Sequence, residues 1–302
     1  MHPYIWTHPY IGSYSFFLLL GFLAAYFLAR PRAKVFGIEP RHIDNLTLLL
    51  LCLCPIGARF FSRIFDYSPA LPVIEWFKVW KGGGLVFYGG LLFGALIFWV
   101  YSAFQKIRFR SFMDLLAPSL AVGLGFGRVG CFMAGCCWGD VCVDHSSLVS
   151  LDAPTISQIQ TFPRLSPAHF SLAVQFPKGA GAFEQHQSLN LLNEGSVSSL
   201  PVHPTQIYEA FGAFLIAFAL LLPWFQKKPL GSRFCFFVMA YGVLRFGVEF
   251  FRADTRPDLA GFSISQLISL AAGLAGLAFW KSFQHDAEPS NPTTSTSVPV
   301  TG

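Results

Sequence analysis

The stretch Leu115–Gly139, LLAPSLAVGLGFGRVGCFMAGCCWG, decides the fold class. Its first half, Leu115 to Phe126, is apolar enough to lie in lipid, and it runs directly into an arginine, a set of glycines and three cysteines. The rest of the chain is of the same kind. Of 302 residues, 53% are apolar and 12% charged, against roughly 25% charged in soluble domains, and the mean hydropathy is +0.51. So little charge cannot cover a water-soluble globule, and the chain reads as a membrane protein. Seven segments approach the ~20 residues that cross a bilayer: Ser13–Arg30, Asn45–Phe65, Leu85–Phe104, Met113–Cys137, Thr205–Phe225, Phe234–Phe251 and Phe262–Phe283. The expected fold is all-α, with seven transmembrane helices. The opening MHPYIWTHPY has no Lys or Arg and leads into a full-length span, which argues for a retained first helix over a cleaved signal.

Basic residues in the connections set the orientation. One set carries Arg30, Arg32, Lys34, Arg41, Lys106, Arg108, Arg110, Lys227, Lys228 and Arg233, with Lys281 in the tail. The opposite set holds only Lys78, Lys81, Arg164, Lys178, Arg252 and Arg256. The N-terminus is therefore expected outside and the C-terminus in the cytoplasm. The inner loops account for most of the net charge of +5, so no nucleic-acid partner is inferred from it. The longest polar connection, Asp140–Val202, falls on the outer side and predicts a small extracytoplasmic head between helices four and five. The segment Glu288–Gly302 lacks apolar periodicity and predicts a disordered tail after a membrane domain of residues 1–287. No internal repeat points to an inverted-repeat transporter.

Arg59, Arg63, Arg128 and Arg245 lie within or at the ends of the spans, and Arg252 lies just beyond the sixth. A charge in the membrane costs at least about 2.5 kcal/mol, so it normally faces a partner or a polar cavity. In Tyr241–Asp254, YGVLRFGVEFFRAD, Arg245, Glu249 and Arg252 share a helical face. Glu249 could clamp both arginines structurally, which would leave Arg59, Arg63 and Arg128 in need of partners. Guanidinium groups suit bidentate binding of phosphate, and the phospholipid headgroup is the abundant phosphate of a membrane. Two glycine-rich runs, Lys81–Gly90 and Gly123–Gly130, permit either close helix packing or approach of backbone N–H groups to an anion. Glycine alone does not decide between them. In Val202–Glu209, VHPTQIYE, Pro204 suits a helix start and would set His203, Tyr208 and Glu209 at the outer interface.

Together these motifs resemble the bacterial prolipoprotein diacylglyceryl transferase family. From Tyr14 to about Phe283 they occur in order: SYSFFLLLGF, GARFF, KGGGLVFYGG, GRVGCFMAGCCWG, HPTQIYE and YGVLRFGVEFFRAD. The resemblance implies a multi-pass protein of the bacterial inner membrane. Its expected reaction moves the diacylglyceryl group of phosphatidylglycerol to the lipobox cysteine of a preprolipoprotein signal peptide and releases glycerol phosphate. By the same resemblance, Arg128 and Arg245 are the essential arginines that hold the phosphate and stabilise its departing charge. Arg59 assists, and Glu249 and Arg252 form a coupled pair. Tyr14, Tyr88 and His203 shape the site near the incoming thiol, while Gly89, Gly90, Cys131, Cys136 and Gly139 fall at substrate-binding positions. Membrane lipid and the signal peptide are the implied partners, and no metal or organic cofactor is expected.

The departures from the family signature are specific. Cys131 stands where the signature has Asn, Ala134 and Cys136 where it has a second Asn and Glu, and Tyr88 where it has the His of an FHGG run. A tyrosine, with an ordinary pKa near 10, is a poor base. Cys131, Cys136, Cys137 and Cys142 admit several readings: disulfides in an oxidising compartment, a soft-metal site together with His145, a redox or acyl-accepting thiol activated by Arg128, or inert packing. Inert packing is also the reading of Cys52, Cys54 and Cys235. A covalent diacylglyceryl shuttle through cysteine is disfavoured, because a thioether is a poor leaving group. Two alternatives to the transferase stand beside it: a paralogue with the lipid site but another acceptor or a thiol-based reaction, and a non-catalytic lipid-binding protein.

Overall fold

The computed structural model describes residues 4–7, 10–65, 87–142, 172–193, 195–252, 258–259 and 262–287. Lys81–Val86, residues 143–171 and 194 of the predicted head with His145 among them, and the predicted tail lie outside the described residues, as do the side chains of Arg63 and Tyr88.

Each predicted span falls on a helix. These are α1 (Ser13–Arg32), α2 (Pro40–Phe65), α3 (Phe87–Phe104), α4 (Phe109–Ala134), α6 (Thr205–Leu221), α7 (Ser232–Glu249) and α8 (Ile264–Ala287), with the short α5 (Gly181–Ser188) between α4 and α6. Two antiparallel hairpins precede α1 and α8: β1 (Tyr4–Thr7) with β2 (Tyr10–Gly12), and β3 (Asp258–Leu259) with β4 (Phe262–Ser263). An apolar segment in lipid forms a helix because only that pairs every backbone polar group within the segment. Pro31, Pro55 and Pro118 sit inside helices, as is tolerated where neighbouring helices re-satisfy the freed groups. Among the described residues, four helical segments are long and apolar enough to cross a membrane, Ser13–Phe36, Pro40–Ser62, Phe109–Ala134 and Ile264–His285, and Gly89–Phe104 and Thr205–Leu221 are shorter apolar helices. Large apolar side chains point outward along them, among them Phe27, Leu48, Trp99, Phe211, Phe218 and Leu274. A soluble protein of this size would not expose such a surface, so the molecule is an all-α membrane protein.

Helix α4 is the hub, packing against α1, α6 and α7, while α2 pairs with α3 and α7 with α8. A Cβ on Gly130 would meet the Tyr14 carbonyl at 3.3 Å and Phe17 at 3.1 Å, so this glycine lets the start of α1 lie against the end of α4. At the opposite end, the buried Asp114 of α4 accepts hydrogen bonds from the Gly231 and Phe234 N–H groups at 2.8 and 2.9 Å. It thereby caps α7 from a different helix and satisfies two N–H groups with no intrahelical partner.

The described part of the segment between α4 and α6 forms a small unit seated on the end of α4. Phe176, Ala180, Ala182 and Val202 are buried there against Phe132, Trp138 and Val141. Backbone bridges Val141 to Val202, Val174 to Val202 and Pro177 to Ser198 close it.

Candidate active site

Alternating helix direction carries the chemically distinctive residues to one end of the bundle: the start of α1, the end of α4, the start of α6, the end of α7 and the start of α8. The centre of this end is Glu209, 1% exposed. The helix α6 that carries it begins at Thr205, with Pro204 at the N-cap position, and buries Gln206, Glu209, Ala210, Ala213, Ala217 and Leu220 on one stripe. Glu209 therefore points into the bundle, not to the outer interface expected from the sequence.

Its carboxylate joins two helices. Arg128 Nη2 of α4 lies 3.0 Å from Oε1, the Tyr241 hydroxyl of α7 donates to the same oxygen at 2.6 Å, and Arg245 Nη1 lies 3.9 Å from Oε2. Arg128 thus has the partner that the sequence reading left unassigned. Arg245 Nη2 also contacts Glu249 Oε2 at 2.7 Å, and Arg252 Nε lies 3.9 Å from that oxygen. Ser263 donates to Glu249 Oε1 at 2.7 Å, tying the hairpin before α8 to the network. Arg245, Glu249 and Arg252 are each no more than 11% exposed, while Arg128 is 21% exposed. Three guanidinium groups and two carboxylates are thus gathered in a poorly solvated place. Guanidinium groups fixed in this way offer the planar donor forks that suit a phosphate.

The remaining candidates divide. Tyr14 is within electrostatic range of Arg128, Cys131, Cys136 and Cys137, so α1 contributes to this end. A Cβ on Gly139 would strike the Phe251 carbonyl, the Thr205 methyl and His203. The backbone there is knitted on both sides, with Gly139 N–H donating to the His203 carbonyl at 2.9 Å and Asp140 N–H to the Phe251 carbonyl at 2.8 Å. His203 is buried, and its Nδ1 lies 3.1 Å from the Tyr208 hydroxyl. Burial lowers the His203 pKa from its ordinary value. Arg59 is 1% exposed on α2. Gly89 belongs to packing, since its Cβ would meet the Phe61 Cβ at 2.5 Å and the Gly57 carbonyl at 2.8 Å, whereas Gly90 makes only ordinary contacts across the α2–α3 seam. Tyr88 lies in the first turn of α3. Gly123 and Gly127, one turn apart on α4, border open space.

The cysteines are free in the structure, so disulfide pairing, one of the readings the sequence left open, is not formed there. Helix α4 ends in a left-handed residue, Gly135 at φ 70°, with the Gly135 N–H donating to the Phe132 carbonyl and the Cys136 N–H to the Cys131 carbonyl, each at 3.1 Å. This closing pattern brings together the side chains of Cys131 and Cys136. Cys137 is itself left-handed at φ 62°, and the three Sγ atoms all lie within 4.8 Å of one another. Two side chains of α6 hold the turn: Gln206 Nε2 donates to the Cys136 carbonyl at 2.6 Å, and Thr205 Oγ1 to the Cys137 carbonyl at 2.9 Å. Cys142 stands apart, its thiol toward the Asp140 carbonyl.

Glu209 as the network's carboxylate, Tyr241, Gln206 and Thr205 were not singled out by motif. Spacing carries a signal for two of them. Tyr241 is one turn before Arg245 on the Arg245–Glu249–Arg252 face, and Glu209 falls on the alanine stripe of α6.

The chain matches the family described as "Prolipoprotein diacylglyceryl transferase" over residues 3–281. It is 31% identical over 269 residues to the phosphatidylglycerol–prolipoprotein diacylglyceryl transferase of Clostridium tetani, covering 88% of this chain and 91% of that protein. A protein of the same name from Proteus mirabilis is 31% identical over 294 residues, covering 93% and 91%, and one from Photorhabdus laumondii is 31% identical over 274 residues, covering 87% and 85%. A match of this extent, over a chain whose distinctive residues gather at one end of a membrane bundle, shows that the protein belongs to the prolipoprotein diacylglyceryl transferase family.

Proposed function

We propose that this protein transfers the diacylglyceryl group of phosphatidylglycerol to the cysteine thiol of a preprolipoprotein signal peptide and releases glycerol phosphate. The observation that carries the reading is the buried network of Arg128, Arg245 and Arg252 with Glu209 and Glu249, whose prepositioned guanidinium groups suit a lipid phosphate. Relatives that bear the name of this transferase support the choice of substrates.

In the reaction, sulfur attacks the glyceryl carbon next to the phosphate, the carbon–oxygen bond breaks, and negative charge grows on the departing phosphate. Arg128, the most exposed arginine of the network, and Arg245 hold that charge. Guanidinium groups already fixed by carboxylates need no reorganisation as it develops. Glu249 and Arg252 hold Arg245 in place, and Arg59 assists from α2. By the family resemblance, His203, Tyr14 and Tyr88 serve the incoming thiol. The open space beside Gly123 and Gly127 leaves room for acyl chains along α4.

The protein works as a seven-span protein of the bacterial inner membrane, N-terminus outside and C-terminus in the cytoplasm. Its membrane domain covers residues 1–287, with an extracytoplasmic head at 140–202 and a tail at 288–302. The test is transfer from phosphatidylglycerol to a lipobox peptide by purified protein, with Arg128→Ala and Arg245→Ala as comparisons. The expected result is glycerol phosphate release with a loss of 10²-fold or more, on the order of one lost oxyanion-type donor, in each variant. Lipid binding without turnover in the wild type would point to the non-catalytic reading instead.

A further inference from the structure

We propose that Cys131, Cys136 and Cys137 form a three-thiolate site for a thiophilic divalent cation of the zinc class, whose fourth position takes the acceptor cysteine thiol. The proposal rests on the transferase reading for the identity of that thiol, and it departs from the expectation of a metal-free site.

Geometry comes first. The three Sγ atoms lie within 4.8 Å of one another. Tetrahedral coordination with Zn–S distances of about 2.3 Å needs sulfurs about 3.8 Å apart, which small side-chain rotations supply. The trio is built by the backbone and not by chance contact of flexible side chains. The helix-closing turn at Gly135 pairs Cys131 with Cys136, the left-handed backbone at Cys137 brings in the third sulfur, and Gln206 and Thr205 of α6 lock the carbonyls of Cys136 and Cys137. A left-handed backbone at a non-glycine residue costs free energy and persists where the surroundings enforce it.

Charge is the second argument. Three thiolates around a divalent ion carry a net charge of −1, which neighbouring guanidinium groups stabilise. Arg128 and Arg252 are within electrostatic range of Cys137, and Arg128 of Cys131. Soft sulfur ligands select zinc-like ions over magnesium or calcium.

Ligand number is the third. Structural zinc sites close with four protein ligands, whereas reactive ones keep a position open. Among the described residues the cluster has three. A thiol bound at the fourth position is deprotonated outright, so the metal supplies the thiolate. In that step the acceptor S–H proton leaves to solvent as the metal–sulfur bond forms. A sulfur electron pair then attacks the glyceryl carbon, the carbon–oxygen bond breaks, and its electron pair departs on the phosphate oxygen of glycerol phosphate, held by Arg128 and Arg245. The thioether product is neutral, binds the metal more weakly and gives way to water or the next thiol.

The test uses the full-length protein in detergent under reducing conditions. Metal content is measured by mass spectrometry in the wild type and in Cys131→Ser, Cys136→Ser and Cys137→Ser. Co²⁺ is then loaded into metal-stripped wild type, and the sulfur-to-cobalt charge-transfer bands are followed as a lipobox peptide is added, with a Cys→Ser peptide as control. Expected are about one metal ion per chain, metal affinity down 10-fold or more in each variant, bands that shift with the cysteine peptide only, and transfer lost on stripping and restored by Zn²⁺ or Co²⁺. Transfer by wild type that neither contains nor binds a thiophilic ion would overturn the proposal and leave the transferase reading intact. Cobalt bands unmoved by the cysteine peptide would overturn the acceptor role. A peptide-dependent shift with no transfer under any metal would uphold the site and sink the transferase reading, so the two fail separately. The cobalt measurement on wild type keeps the test decisive if a serine variant fails to fold.

Discussion

Glu209 shows how one side chain can organise a site that its motif does not advertise. In HPTQIYE it resembles any acid at a helix start, and the sequence reading set it at the interface. Its burial depends on which face of α6 meets α4 and α7, a tertiary fact, although the small residues Ala210, Ala213 and Ala217 mark that face. Glu209→Gln keeps the shape and an acceptor for the Tyr241 hydroxyl, but removes the charge facing Arg128 and Arg245. Truncating one partner of a buried ion pair costs about 3–5 kcal/mol, and the isosteric amide is expected to cost somewhat less. The thermal midpoint should therefore fall. Transfer should fall further, because arginines freed of Glu209 are no longer fixed where the phosphate charge develops. Comparing kcat with the midpoint for Glu209→Gln and Tyr241→Phe separates these effects. The Tyr241 variant, which loses one hydrogen bond and no charge, should lose less of both. Unchanged turnover in Glu209→Gln would show that the carboxylate does not position the arginines.

Among the elements, the helices were legible and their ends were not. Apolar length located each one, yet predicted span four ran on to Cys137, whereas α4 closes at Ala134. The glycine that closes it, Gly135, lies beyond the Gly123–Gly130 run that the sequence marks for packing or anion binding. The left-handed turn at Gly135 is a local signal that could have been drawn from the sequence. The third thiol could not, because Cys137 depends on α6 for its place. The small unit carrying α5 has its own pH sensitivity. His186 is 3% exposed, its Nδ1 accepts a hydrogen bond from the Leu200 N–H at 3.3 Å, and burial pushes its pKa down to about 4. A histidine with a folded pKa below its ordinary value of about 6.5 binds its proton more readily when unfolded. It therefore contributes stability that is complete above pH 6.5 and is lost progressively as the pH falls toward 4. Hydrogen exchange at the Leu200 amide should accelerate over that window relative to amides of α4, after correction for the intrinsic pH dependence. The effect should be much reduced in His186→Gln, and a flat wild-type profile would show that this unit does not open around His186.

At the scale of the whole molecule, the two ends of the bundle have opposite chemistry. One end holds the arginine–glutamate network and the thiol trio. The other gathers Arg32, Lys34, Arg108, Lys228 and Arg233, several of them lining a cavity of about 810 Å³ with Phe36, Asp114 and Phe225. In the proposed orientation, which follows the positive-inside rule, the basic end faces the cytoplasm and the network end faces outward, toward the cysteine of a secreted precursor. Reporter fusions test this directly. Alkaline phosphatase, active only outside the cytoplasm, should be active when inserted after Gly195, in the unit that follows α4, and inactive when inserted after Lys228, between α6 and α7. A fluorescent protein that matures only in the cytoplasm should give the reverse pattern. Active phosphatase at Lys228 would place the basic end outside and the arginine–glutamate network in the cytoplasm. A secreted precursor would then have to be modified before crossing, and the transferase reading would lose the geometry by which a lipid phosphate and an arriving thiol meet at the outer face.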